Sequence, residues 1–82
     1  MKLPVIRHLQ RSNELVKLEN TIDVLESFTE HRSVTDEEMD VIGELISNLC
    51  GAVEVQKMID NGIAEKDAAN NFMQKVIGAI DR

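Results

Sequence analysis

The chain has 82 residues, 43% of them hydrophobic and 29% charged, with a net charge of −6. That is a single domain, residues 1–82, short enough to bury only roughly 60–65% of its unfolded surface, so each apolar face needs cover. Two Phe, no Tyr and no Trp count against modules that stack bases on rings and against aromatic hot-spot faces, and the acidic balance disfavours nucleic acid and anionic membrane as bulk partners.

The charge is unevenly placed. Residues 1–17 carry Lys2, Arg7, Arg11 and Lys17 against Glu14, a net of +3, while residues 18–82 carry five basic and fourteen acidic side chains, a net of −9. The basic segment has two readings: packing beside an acidic face of its own or a neighbouring chain, or a short arm that contacts anions or nucleic acid. Cys50 is the one cysteine, which rules out an internal disulfide and fits a reducing compartment. Pro4, Arg7 and His8 interrupt the apolar residues at the amino end, unlike a signal peptide, and no apolar run reaches the roughly 18 residues that span a bilayer. A cytoplasmic protein is expected.

In chain order, Val5, Ile6 and Leu9 have helical spacing and Pro4 suits a first helical position, so residues 1–11 predict a short helix or an extension of the next one. Ser12 is a candidate cap for a first full helix to about His31. On it Leu15, Leu18, Ile22, Leu25 and Phe28 fall in one arc of roughly 140°, an amphipathic stripe. Glu19, Asp23, Glu26 and Glu30 align within about 60° beside that stripe.

Val34-Thr35-Asp36-Glu37-Glu38-Met39 writes out the next helix start. Thr35 and Glu38 make a capping box, Val34 and Met39 stand at hydrophobic-staple positions, and three carboxylates fill the first turn, where the helix dipole favours them. This second helix should run to about Asp60 and close on Asn61-Gly62, with Ile63 packing back on Met58 in a Schellman ending. Met39, Val41, Ile42, Leu45, Ile46, Leu49, Cys50, Ala52 and Val53 cover about 180° of it, wider than the roughly 100° stripe of a helix with one buried face. It is therefore the central, sandwiched helix. Gly43, Ser47 and Gly51 recur at intervals of four, a spacing that lets a neighbouring backbone come close. Interior glycines each cost roughly 1 kcal/mol relative to Ala, so packing within the chain or a dimer seam must offset them.

A third helix is expected from near Glu65 to near Asp81. Ala68, Ala69, Phe72, Met73, Val76, Ile77, Ala79 and Ile80 form its apolar half. Connections of about three to five residues favour antiparallel neighbours. The expected fold is all-α, an up-down-up three-helix bundle with a short N-terminal helical lead-in.

Chemistry is sparse. The acidic ladder Glu19, Asp23, Glu26 and Glu30 could share a divalent metal or accept Arg and Lys from a partner, but the Glu-x-x-His pairs of di-iron bundles and the His-Glu-x-x-His of zinc hydrolases are missing. A solvated face is its plainest reading. Cys50, on the apolar arc, reads as a buried and inert thiol, and His8 and His31 as surface residues. Three families of similar size can be set aside. Ser12, Ser27, Ser33 and Ser47 all lack the Asp-Ser-Leu setting of an acyl carrier protein. Asp60-Asn61-Gly62 does not continue as an EF-hand loop. The third helix is too poor in cations for a helix-turn-helix reader.

The opening Met1-Lys2-Leu3-Pro4-Val5-Ile6 and the stretch Asp40-Val41-Ile42-Gly43-Glu44-Leu45-Ile46-Ser47-Asn48, followed by Gly51-Ala52, resemble a small uncharacterised bacterial family. The resemblance implies a compact helical fold over most of the chain and carries no functional residue across.

Two of the three helices have apolar halves, and a three-helix bundle has no fourth wall to cover them. Exposing Leu- or Ile-sized side chains forgoes roughly 1.5–3 kcal/mol each, so a homodimer or another protein partner is expected, unless the lead-in covers one strip. Val41, Leu45, Ala52, Ile59, Ile77 and Ile80 are the candidates for that outer seam. No catalytic role, cofactor or metal is assigned; the competing reading is a metal or enzymatic site on the acidic ladder.

Overall fold

Cap chemistry sets the helix boundaries. The computed structural model describes residues 1–80, with side chains as far as Gly78. It holds α1 Leu3–Ser12, α2 Leu15–Thr29, α3 Asp36–Asp60 and α4 Glu65–Ile80, with no strand among the described residues. The expected end near Asp81 lies outside them.

Residues 3–12 thus form a helix of their own, with Pro4 in the first turn. Ser12 does not cap α2: it is the last residue of α1, and Glu14 takes the N-cap position without a side-chain bond. The reason is Asn13, whose extended backbone closes α1 and whose Nδ2 donates to the Leu9 carbonyl at 3.1 Å. α1 therefore ends at Ser12, and Asn13 and Glu14 separate it from α2.

The ends of α3 follow the expectation. The Glu38 N–H donates to Thr35 Oγ1 at 3.2 Å, and the Thr35 N–H donates to Glu38 Oε1 at 3.0 Å. Hydrogen bonds from the Thr35 backbone and then its hydroxyl hold the Glu38 carboxyl below its ordinary value. At the other end Gly62 takes φ +100°, a left-handed conformation that glycine adopts without a Cβ penalty. Its N–H donates to the Ile59 carbonyl at 2.9 Å and that of Ile63 to Met58 at 3.1 Å, the paired bonds of a Schellman ending.

α3 packs against each of the other three helices, and α1 also meets α4. α1 runs in the same direction as α3: the Lys2 N–H donates to Asn48 Oδ1 at 2.8 Å, and Gln10 Nε2 to Gln56 Oε1 at 2.8 Å. α2 runs the opposite way, with Glu19 paired to Lys57 at 3.7 Å and Phe28 beside Val41 and Ile42. Lys75 of α4 pairs with Glu54, and Arg7 and Arg11 both reach Glu65. The basic amino segment thus places both of its arginines on an acidic residue of its own chain.

The core joins Ile6, Leu18, Leu49, Ala52, Val53, Val55, Ala68 and Phe72. Gly51 is its tightest point. A Cβ there would stand 2.8 Å from Ile6 Cδ1 and 3.1 Å from Phe72 Cζ, so α1 and α4 converge on α3 where a side chain is missing. Packing within the chain accounts for Gly51. Gly43 has no atom within 4 Å of its notional Cβ and is open.

Candidate association face

α2 shows two unlike flanks either side of its buried stripe. One bears the acidic ladder, and Glu19 and Asp23 line a hollow of about 460 Å³ with Ile22, Cys50, Val53, Glu54 and Lys57. All four ladder carboxylates are exposed, and Glu19 is paired with Lys57. Among the described residues no group of three or more His, Cys, Asp or Glu side chains is arranged to hold a metal ion. Cys50 is exposed, not buried as its place on the apolar arc implied, because it faces this hollow at the α2–α3 seam. Partial desolvation, and then the negative charge of Glu26, push its thiol up, away from the thiolate that nucleophilic chemistry needs. His31 accepts a hydrogen bond at Nδ1 from the Ser33 N–H at 3.1 Å, and both histidines are exposed.

The other flank is apolar. Thr21 and Leu25 of α2, Val5 and Leu9 of α1 and Leu45 of α3 wall a groove of about 400 Å³ floored by Leu49, with Asn48 as its polar edge. Beyond its upper end Phe28, Val41 and Ile42 form a second hollow bordered by Glu37 and Glu38. Val16, Thr21 and Val24 continue the surface along the outside of α2. Phe28 is 51% exposed, whereas the rest of its stripe is buried or half-buried. It stands at the edge of the 140° arc, beyond reach of the core.

The expected outer seam divides. Val41 is 61% exposed, Leu45 47% and Ile77 50%. Ala52 is fully buried, and Ile59 packs partly buried against the core, so neither can serve an outer surface. The side chain of Ile80 lies outside the described residues. The correction has one cause. Val41, Leu45, Ala52 and Ile59 lie along one strip of α3, and α1 covers only its lower part. The acidic ladder borders one flank of α2, Val41 and Leu45 border the other, and Ile77 stands on α4, so the residues considered as interaction surface do not form one face.

Val5, Leu9, Thr21, Val24, Leu25 and Phe28 complete the apolar face and were not marked out for it from sequence. The spacing of Val16 and Val24 at multiples of four from Phe28, the edge residue of the stripe, was the available signal.

The chain belongs to the Family of unknown function (DUF6952), whose model matches residues 1–81. The all-helical fold fits the small uncharacterised helical family that its opening and its Asp40–Asn48 stretch resemble. No curated protein and no solved structure matches the chain. No described helix is long and apolar enough to cross a membrane.

Proposed function

We propose that this protein works by association, as a small interaction or structural module rather than an enzyme, and that its working form is a homodimer in the cytoplasm. In this reading α2, α3 and α4 are an up-down-up bundle, and α1 is the lead-in that covers one strip of the central helix. The observation that carries the reading is the uncovered end of that strip, Val41 and Leu45, continuous with the apolar groove between α1 and α2. Side chains of this size gain roughly 1.5–3 kcal/mol each on full burial, so several together favour a lid from another chain. The groove walls are almost wholly apolar, and the polar groups of Asn48 and Thr21 are already bonded to Lys2, Glu44 and Lys17, which leaves a reacting group without a general base or an oxyanion donor. Sedimentation equilibrium with interference optics, which does not need Trp or Tyr, tests it. A mass near twice 9.2 kDa that falls to the monomer value in Leu45→Glu is expected. A monomer at every concentration, with no change on that substitution, would overturn the homodimer.

A further inference from the structure

We propose that the occupant of the apolar groove is Phe28 of a second copy, with the two chains related by a two-fold axis that sets their α2 helices antiparallel. This rests on the homodimer reading and specifies its geometry. Phe72 is in the core, so Phe28 is the one phenyl ring that stands at the surface. The groove walled by Val5, Leu9, Leu25 and Leu45 holds about 400 Å³. An apolar cavity of about 150 Å³ is already enough for a benzene ring. Ring and groove lie on the same face of the same chain, so two copies can each give and receive, the self-complementarity a two-fold interface requires.

The offset between them sets the axis. Phe28 lies three to seven residues beyond Leu25 and Thr21, about 5–10 Å along α2 at 1.5 Å per residue. Seating each ring in the other groove puts the axis near Val24, which is 69% exposed. Rotation about that axis then carries Lys17 of one copy to the far end of the other, where Glu37 and Glu38 border the Phe28 hollow. Lys17 is exposed and makes no ion pair among the described residues. The match occurs twice per dimer. A parallel pairing would instead stack the Glu37/Glu38 ends on each other and repel. Val5, Val24, Phe28, Val41 and Leu45 are each at least 39% exposed, a contiguous apolar surface of the kind that marks an interaction site rather than scattered single residues.

Two measurements on the full chain, both with Cys50→Ser to remove the native thiol, test this. Phe28→Ala should leave helicity by circular dichroism unchanged and weaken the dimer at least about 30-fold, as loss of a central anchor does. Mixing a Lys17→Cys chain with a Glu37→Cys chain under mild oxidation should give a disulfide-linked heterodimer in preference to either homodimer. A dimer that Phe28→Ala leaves intact, or one that links Glu37→Cys chains to each other, would overturn this seating while leaving self-association standing. A parent chain that stays monomeric overturns both, and turns the face toward a different protein.

Discussion

The two halves of α3 share one helix and one apolar pattern but not one environment. From Asn48 to Asp60 the helix buries Asn48, Leu49, Gly51, Ala52, Val53 and Val55, whereas from Asp36 to Ser47 it buries only Ile42. The difference is one of length. α3 has 25 residues and α1 has 10, about 37 Å against about 15 Å. α1 starts level with Asn48 through the Lys2 bond and runs toward the C-terminal end, so it leaves the N-terminal half of the strip uncovered. Apolar width says that a helix needs partners on two sides; it does not say over how much of its length they reach.

The largest effect should come from removing the residue that closes the covered half. Ile6 is fully buried against Gly51, and Ile6→Ala should cost about 3 kcal/mol of stability, the deletion leaving a cavity as well as a lost transfer term. Urea unfolding followed by circular dichroism measures it. A loss under about 1 kcal/mol would mean that α1 adds little to the covered half. The same substitution at two valines sharpens the contrast. Val55 is fully buried and Val41 is open, so Val55→Ala should cost about 2 kcal/mol and Val41→Ala stay within about 0.5 kcal/mol in dilute, monomeric protein. Equal costs would show that the open strip is not open.

Two glycines give a change of sign. Gly43→Ala meets open space and should stabilise by roughly 0.5–1 kcal/mol from helix propensity alone. Gly51→Ala gains the same propensity but presses on Ile6 and Phe72, and overpacking of about 1–3 kcal/mol makes the net effect destabilising. Thermal midpoints of the two variants should move in opposite directions, and a rise in both would show that Ile6 can yield.

These pairs also show why the sequence carried the fold further than the face. Helix ends are local: Thr35 with Glu38, and Gly62 with Met58 and Ile59, settle their geometry within a few residues, so they could be read one turn at a time. Ser12 misled because Asn13, its neighbour, won the competition to end a helix. Ala52 and Ile59 carry the same periodic signal as Val41 and Leu45, and nothing local distinguishes them. Where α1 stops along α3 decides, and that depends on contacts some 46 residues apart in sequence. The groove is harder still, since its walls come from three helices. Phe28 and Cys50 fell on the margins of their apolar arcs, where a periodic pattern cannot say which side of the boundary faces water.

The smallest expected effect separates the halves by acid. Among the described residues, both carboxyls held below their ordinary value of 4.5 belong to the open half. Glu38 is held down by Thr35, and Glu44 by the terminal amine of Met1 at 3.1–3.2 Å and then by Asn48 Nδ2. A carboxyl whose folded value is depressed contributes stability that is fully present above its unfolded value and is lost as pH falls through the folded one. Acid below the ordinary carboxyl value of 4.5 should therefore loosen the start of α3 first. Because both groups are solvent-exposed the loss is small, and it is best seen locally. Amide protection factors, which remove the pH dependence of intrinsic exchange, should fall at Met39 and Asp40 over that range while Val53 and Val55 keep theirs. Glu38→Gln, which cannot ionise, should flatten the response at Met39 and Asp40. If protection instead falls together along the whole helix, or Glu38→Gln leaves the response as steep as before, the two halves unfold as one unit and their contrast ends at packing.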